Sequence, residues 1–154
     1  MFYLDLLKRE LGSSDSVQWS DNKDHGYCYD GTRLKLLEHL SAWVADADKP
    51  SVLWISGLAG AGKSTILRSL CRELHRSALA ASFFVSRKVE SQRDPRRVVQ
   101  TLAYGLALRN PLVCDAVVAT LKEYRDITNA ELSEQVEKLL TLPCLLYTSD
   151  AADE

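Results

Sequence analysis

The chain has 154 residues, of which 46% are hydrophobic and 26% charged, and a formal net charge of −2. This composition is typical of a globular domain and excludes a disordered or collagen-like chain. The small net charge provides no basic field for nucleic acid, and no apolar run approaches the length of a membrane span. The protein is therefore expected to bind neither nucleic acid nor membrane. The four cysteines lack the spacing of a metal site or a disulfide framework, so we expect free thiols and a cytoplasmic protein.

Residues 1–27 are predicted to form a short helix and a polar linker. Apolar residues recur at helical spacing from Leu4 to Leu11, and the polar run after Gly12 ends the helix. A second helix is predicted from a cap at Thr32 to Trp43, with leucines on its buried side.

A strand, a glycine-rich loop, a helix and a second strand follow in close succession. Ser51–Ser56 and Ala80–Ser86 are short apolar runs without alternation, as expected for strands buried on both faces of a parallel sheet. Between them, Thr65–Arg76 has the pattern of an amphipathic helix. This order predicts a βαβ unit. The expected fold is therefore the N-terminal portion of an α/β P-loop NTPase, with a parallel sheet flanked by helices.

Three further helices are predicted after the second strand. Asp94 and Pro95 begin a helix that runs to about Arg109, and Asn110-Pro111 ends it and begins another that continues to about Tyr124. A last helix is expected from a cap at Ser133 to Leu142, where the following Pro143 closes it.

The glycine-rich segment Gly57–Ser64 satisfies the complete P-loop pattern G-x-x-x-x-G-K-[ST]. Its glycines allow the backbone to curl so that successive N–H groups meet at one anion, and the following helix directs its positive end there. Lys63 is expected at the β- and γ-phosphates, Ser64 at Mg²⁺ and Thr65 at the α-phosphate. The pattern contacts phosphates alone, so ATP and GTP both stay open, and no residue is assigned a catalytic role. The candidate nucleotide-binding residues are Gly57, Ala59, Gly60, Ala61, Gly62, Lys63, Ser64 and Thr65, with Ser64 as the metal ligand.

Several segments around the loop resemble one family of nucleotide-switched proteins. Cys28–Arg33 has the pattern Cys-x-x-Gly-Thr-Arg, and Val52–Gly57 leads directly into the loop. Ala81–Arg87 and the pair of segments Thr101–Tyr104 and Glu134–Leu140 follow in the same order. Together they resemble fungal-type NACHT domains, also called nephrocystin-like N-terminal domains, over about residues 28–143.

The resemblance implies a signalling NTPase of the STAND class, in which the bound nucleotide holds one arrangement and hydrolysis resets it. It also implies protein partners that act through repeat and effector regions absent from this chain. The arginine of the family's Gly-Thr-Arg segment corresponds to Arg33, with no role fixed by the sequence. Arg87 and Lys88 follow the second predicted strand and are weaker phosphate-contact candidates, since such residues more often end a solvated loop.

The last segment, residues 144–154, resembles one reading frame of a sequencing-library adapter and is interpreted as non-native. The competing interpretation makes Asp150 a magnesium partner. If the tail is non-native, the chain lacks the acidic Walker B residue that anchors magnesium, so we expect weak nucleotide binding and very slow hydrolysis. The central strands of the expected sheet would also be missing, and the exposed sheet edge predicts poor solubility. Two alternatives to the signalling switch are a non-hydrolysing nucleotide-binding scaffold and, less favoured, a small P-loop kinase.

Overall fold

The computed structural model describes residues 2–12, 26–85 and 90–150, and within these ranges the regular secondary structure is helical. Short 3₁₀ turns cover Glu90–Arg93 and Ile127–Asn129, and a π turn covers Glu137–Thr141. The α-helices are α1 (Phe2–Glu10), α2 (Leu34–Ala45), α3 (Lys63–Leu74), α4 (Pro95–Arg109), α5 (Pro111–Glu123), α6 (Leu132–Val136) and α7 (Leu142–Asp150).

The predicted parallel sheet is wrong for the residues that the structure describes. Residues 51–56 and 80–85 form no strand, and Ser86 lies outside the described ranges. The first segment was expected to be buried, yet Val52 is 78% exposed and Trp54 is 85% exposed. An apolar run becomes a strand only where a second strand accepts its hydrogen bonds, because strand preference depends mainly on packing context. The α/β fold is therefore corrected to a helical arrangement.

The chain divides into two compact units. The helical unit contains Met1–Gln18 and Ala80–Glu154, and the loop unit contains Trp19–Leu79. In the loop unit α2 packs on α3, where Leu40 and Ile66 are buried and the Ser41 hydroxyl donates to the Glu73 carboxylate at 3.0 Å.

The helical unit is built around α4 and α5, with α1 and the C-terminal helices packed against them. Tight backbone approach is needed at Gly105, because a Cβ there would lie 2.6 Å from the Cβ of Ala81. The core of this unit consists of Leu7, Leu11, Val99, Ala103, Ala107, Val113, Val117, Val118, Leu121, Ile127 and Leu139.

The helix starts that the sequence predicted at Asp94 and Asn110 are confirmed by their caps, whereas the predicted cap at Ser133 is wrong, because α6 begins at Leu132 without a side-chain cap. The Asp94 carboxylate accepts from the backbone N–H of Arg96 at 3.0 Å, and Pro95 occupies the first turn of α4. The Asn110 side chain accepts from Leu112 N–H at 2.9 Å at the start of α5. Both arrangements satisfy backbone donors that a helix leaves without an internal partner.

The predicted end of the last helix at Pro143 is wrong. The helical path continues from Leu132 through the π turn into α7, and Pro143 is buried inside it. In a π turn a backbone N–H donates to the carbonyl five residues earlier, as Leu142 does to Glu137. Proline has no N–H for the next bond in that series, and the Lys138 carbonyl instead accepts from the Thr120 hydroxyl at 3.3 Å. A side chain from α5 thus replaces the donor that proline lacks.

The first two predicted helices are confirmed as α1 and α2, with one correction at a cap. The residue before α2 is Arg33 rather than Thr32, and it makes no side-chain cap. The Thr32 hydroxyl donates instead to the Tyr29 carbonyl at 2.7 Å, within the turn that precedes the helix.

Candidate functional site

The glycine-rich loop leads directly into the N-terminus of α3. Gly60 and Gly62 have φ angles of 80° and 84°, in the left-handed region that favours glycine. Gly62 is the N-cap residue, and no side chain caps the first turn of α3. The first N–H groups of a helix have no partner within the helix and carry its positive dipole end. These groups therefore face outward from an uncapped helix start.

Lys63 closes the loop over its own backbone. Its ammonium donates to the carbonyl of Gly57 at 2.7 Å and to that of Leu58 at 2.8 Å. An ammonium has three N–H donors, so one remains for a ligand while two hold the loop. The ammonium thus lies against the first residues of the loop, while the helix amides begin after its last glycine, and a cationic group with free amides in one loop is chemically suited to an anion.

The segment before α2 is held against this loop, which the sequence did not reveal. The Arg33 guanidinium donates to the carbonyl of Ala61 at 3.3 Å, and Arg33 has a φ of 60°, unusual for a residue other than glycine. The backbone N–H of Cys28 donates to the Ser69 hydroxyl at 2.9 Å, and that hydroxyl donates to the Thr65 carbonyl at 3.0 Å. The Cys-x-x-Gly-Thr-Arg motif and the loop are thus two parts of one site, although the sequence alone separates them by a helix.

Helix α3 buries one charged side chain that a simple amphipathic pattern would leave exposed. Arg68 is a charged residue of this helix, yet it is only 1% exposed. Burial raises the pKa of the neighbouring Cys71 thiol, and the Arg68 charge opposes that rise only partly. Cys71 is therefore held as a neutral thiol at neutral pH. Arg72 lies over the Tyr27 ring at 4.3 Å and adds a further contact between α3 and the segment before α2.

Among the described residues, Ser64, the expected magnesium ligand, is not part of a cluster of metal-binding side chains. Ser64 is exposed in the first turn of α3, where a hydroxyl can reach a cation on a bound phosphate. No group of three or more histidine, cysteine or acidic side chains suited to a metal occurs among the residues with described positions. Mg²⁺ often binds through one or two protein ligands, with phosphate oxygens and water completing its shell, so Ser64 fits only a phosphate-bound ion.

The structure does not describe the side chains of the other candidate residues. Arg87 and Lys88 lie outside the described ranges. Asp150 ends α7, but its side chain is outside the described part, so its interpretation as a magnesium partner stays a prediction.

A comparison with known protein families shows to which family this chain belongs. Residues 31–153 match the family described as Nephrocystin 3, N-terminal. The chain belongs to this family. The resemblance to nephrocystin-like N-terminal domains, drawn from the segments around the loop, is confirmed at that level. The match includes most of residues 144–154, and their interpretation as an adapter-encoded tail stays a prediction.

The nephrocystin-type chain is also similar to short portions of much longer curated proteins. It is 26% identical over 147 residues to ZEB2-regulated ABC transporter 1 of Gibberella zeae, covering 91% of this chain and 9% of the transporter. It is 25% identical over 149 residues to ATP-dependent permease PDR15 of Saccharomyces cerevisiae, covering 92% of this chain and 9% of the permease. The chain thus spans about a tenth of the length of these relatives. No solved structure gives a significant match.

Among the described residues, no helix combines the length and the apolar character that a membrane crossing requires.

Proposed function

We propose that the loop Gly57–Ser64, together with Thr65, binds the phosphates of a nucleoside triphosphate with Mg²⁺. The observation that carries this proposal is that one loop holds the Lys63 ammonium on its carbonyls and leads through Gly62 into the uncapped start of α3. An ammonium and a helix N-terminus acting on the same anion are the chemical elements of phosphate recognition. The complete P-loop pattern in the sequence supports the same assignment.

Within the proposed site each residue type has a separate task. The amides that follow Gly57 and Gly62 donate to phosphate oxygens, and the remaining N–H donor of Lys63 reaches the β- and γ-phosphates. The amide that follows Gly60 donates to the Leu58 carbonyl at 3.2 Å and so holds the curl of the loop. Ser64 supplies a hydroxyl to a phosphate-bound Mg²⁺, whose chemistry is to neutralise charge on those oxygens. The Arg33 guanidinium donates to the Ala61 carbonyl at 3.3 Å and so helps to fix the backbone of the loop. The chain's own groups thus bind and orient the triphosphate.

Exposure around the loop favours weak binding by this chain. Val52 and Trp54 precede the loop and are mostly exposed, so no packed layer fixes the loop from that side within the described residues. A loop that must be ordered on binding loses conformational entropy, and this loss reduces the affinity. ATP is the first nucleotide to test, because the yeast relative is named an ATP-dependent permease.

The wider role we propose is the nucleotide-binding part of a signalling switch of the STAND class in the cytoplasm. Membership of the nephrocystin 3 N-terminal family supports that role. Protein partners would then act through regions beyond the matched segment. A non-hydrolysing scaffold is the alternative, and steady-state phosphate release by the longer parent protein separates the two.

Fluorescence anisotropy with a fluorescent ATP analogue tests the binding proposal. We expect saturable, magnesium-dependent binding that unlabelled ATP competes away, and a loss of at least about tenfold in affinity for Lys63→Ala, since hydrogen bonds to charged groups contribute about 1.5–3 kcal/mol. Lys35→Ala is the matched control, because Lys35 is an exposed lysine on α2 in the same unit. Equal affinity of the two variants would contradict the proposal.

A further inference from the structure

A polar cleft in the helical unit has no role in the proposed nucleotide site. It lies where the end of α1, the start of α4 and the turn at residues 127–129 meet, and it has a volume of about 370 Å³. That volume falls within the range of small-molecule pockets. Its lining residues are all polar or charged, including Arg9, Arg96 and Arg97. We refer to it as the arginine cleft.

The charges that line the arginine cleft do not balance. Glu10 pairs with Arg9 at 2.8 Å, and Asp94 pairs with Arg96 at 3.1 Å. The Arg96 hydrogen bonds hold the pKa of Asp94 below its ordinary value, so this carboxylate is ionised at neutral pH. The Arg97 side chain makes no hydrogen bond or ion pair within the described ranges, although its charge also helps to lower the pKa of Asp94. Among the lining residues three guanidinium groups face two carboxylates, and Arg97 is the one without a hydrogen-bonded carboxylate. Glu131 is not a lining residue, but its negative charge acts on Arg96.

The floor of the arginine cleft is fixed by buried hydrogen bonds. Gln100 is 5% exposed, and its amide nitrogen donates to the Thr128 carbonyl at 2.9 Å and to the Gln135 side chain at 3.1 Å. Gln135 donates in turn to the carbonyls of Thr128 and Ala130 at 3.1 Å and 2.9 Å. A buried and mutually bonded pair of amides holds α4 and the turn in one geometry, so a ligand would meet a preorganised surface.

We infer that the arginine cleft binds a small molecule through a single oxyanion group, either a phosphate monoester or a carboxylate. The guanidinium of Arg97 makes the primary contact, because its planar fork matches both groups through two parallel hydrogen bonds. A ligand with a second anionic group is disfavoured, since Glu10 and Asp94 stay in the wall of the cleft. The site is separate from the loop at Gly57–Ser64 and does not depend on the function proposed for it.

Two-dimensional ¹H–¹⁵N NMR on the Lys63→Ala chain tests the inference with the loop lysine removed. Inorganic phosphate and acetate are titrated separately against sodium chloride at matched ionic strength. We expect saturable shifts at residues 94–100 and 127–129 with at least one probe, and the responding probe identifies the oxyanion. Absence of saturable shifts with both probes would overturn the inference, whatever the outcome of the nucleotide experiments.

Substitutions in the Lys63→Ala background assign the contact to Arg97. Arg97→Gln should weaken binding at least about tenfold, and Arg97→Lys should bind with intermediate affinity because it keeps the charge without the fork. Arg125→Gln removes an exposed arginine that does not line the cleft and should leave the affinity unchanged. Far-UV circular dichroism checks the fold of each variant. Equal affinities of the folded Arg97 and Arg125 variants would show that no specific site exists.

Discussion

At the scale of single residues, the glycines of the loop are the clearest link between sequence and geometry. The sequence predicted that glycine was needed there for unusual backbone angles, and Gly60 and Gly62 adopt positive φ angles. Nothing lies within 4 Å of a Cβ built on Gly62, so the space around it is open. The requirement for glycine at this position is therefore one of backbone conformation and not of packing.

Replacing Gly62 with alanine should destabilise the chain by about 1–2 kcal/mol, because an L-residue is strained in the left-handed region. Urea denaturation followed by circular dichroism measures the effect. Gly26→Ala is the control, since a Cβ on Gly26 also meets open space and its φ is not in the strained range. Equal midpoints for the two variants would show that the backbone of the loop relaxes without cost.

A second residue-scale prediction concerns the acid dependence of the Asp94 cap. Hydrogen bonds from Arg96 lower the pKa of Asp94 in the folded chain below its ordinary value of 3.8. The contribution of this carboxylate to stability is therefore complete above pH 3.8 and is lost as the pH falls through the lower, folded value.

Asp94→Asn should keep much of the cap and remove this acid-dependent component, while Asp94→Ala should cost about 1 kcal/mol at neutral pH. Thermal denaturation of both variants and the wild type between about pH 2 and 7 measures the difference. If the wild type and Asp94→Asn lose stability in parallel as the pH falls, the folded pKa of Asp94 is not depressed.

At the scale of secondary structure, the path from α6 to α7 shows how a side chain from another helix can keep a proline inside a helix. The sequence predicts a helix end at Pro143 because proline lacks an N–H donor. The sequence contains no signal for the π turn at Glu137–Thr141 or for the Thr120 hydroxyl that donates to Lys138. A tertiary contact between α5 and the π turn therefore overrides a local rule.

A double-mutant cycle measures this contact. Thr120→Val removes the hydroxyl donor and should cost about 1 kcal/mol in free energy of unfolding, since the Lys138 carbonyl loses its side-chain partner. In a Pro143→Ala background the alanine N–H is able to donate to that carbonyl, so the same substitution should cost less. Urea denaturation of the four chains gives the coupling energy, and additive effects of the two substitutions would contradict the explanation.

At the scale of the whole molecule, the starts of α4 and α5 were predicted correctly, whereas the predicted sheet was wrong for the described residues. Asp94-Pro95 and Asn110-Pro111 carry cap and first-turn signals that act within a few residues, so the starts of α4 and α5 follow from local sequence. The apolar run at residues 51–56 needs hydrogen-bond partners from another segment before it becomes a strand, and the described residues supply none.

The sequence predicted the contiguous part of the candidate site but not the contact that a distant residue makes with it. The positions of Gly62 and Lys63 at the start of α3 follow from a contiguous pattern of residue types. The contact between Arg33 and Ala61 joins residues that are 28 positions apart, and no local rule predicts which distant side chain meets the loop. The resemblance to the nephrocystin-like family includes both Cys28–Arg33 and the loop, but it does not predict the contact between them.

Hydrogen–deuterium exchange of the wild-type chain, with and without ATP and Mg²⁺, is the most direct test of phosphate binding at the start of α3. The proposed function predicts slower amide exchange across residues 57–65, and no such protection in the Lys63→Ala chain under the same conditions. Unchanged exchange in that segment at nucleotide concentrations that saturate the anisotropy signal would contradict the central claim.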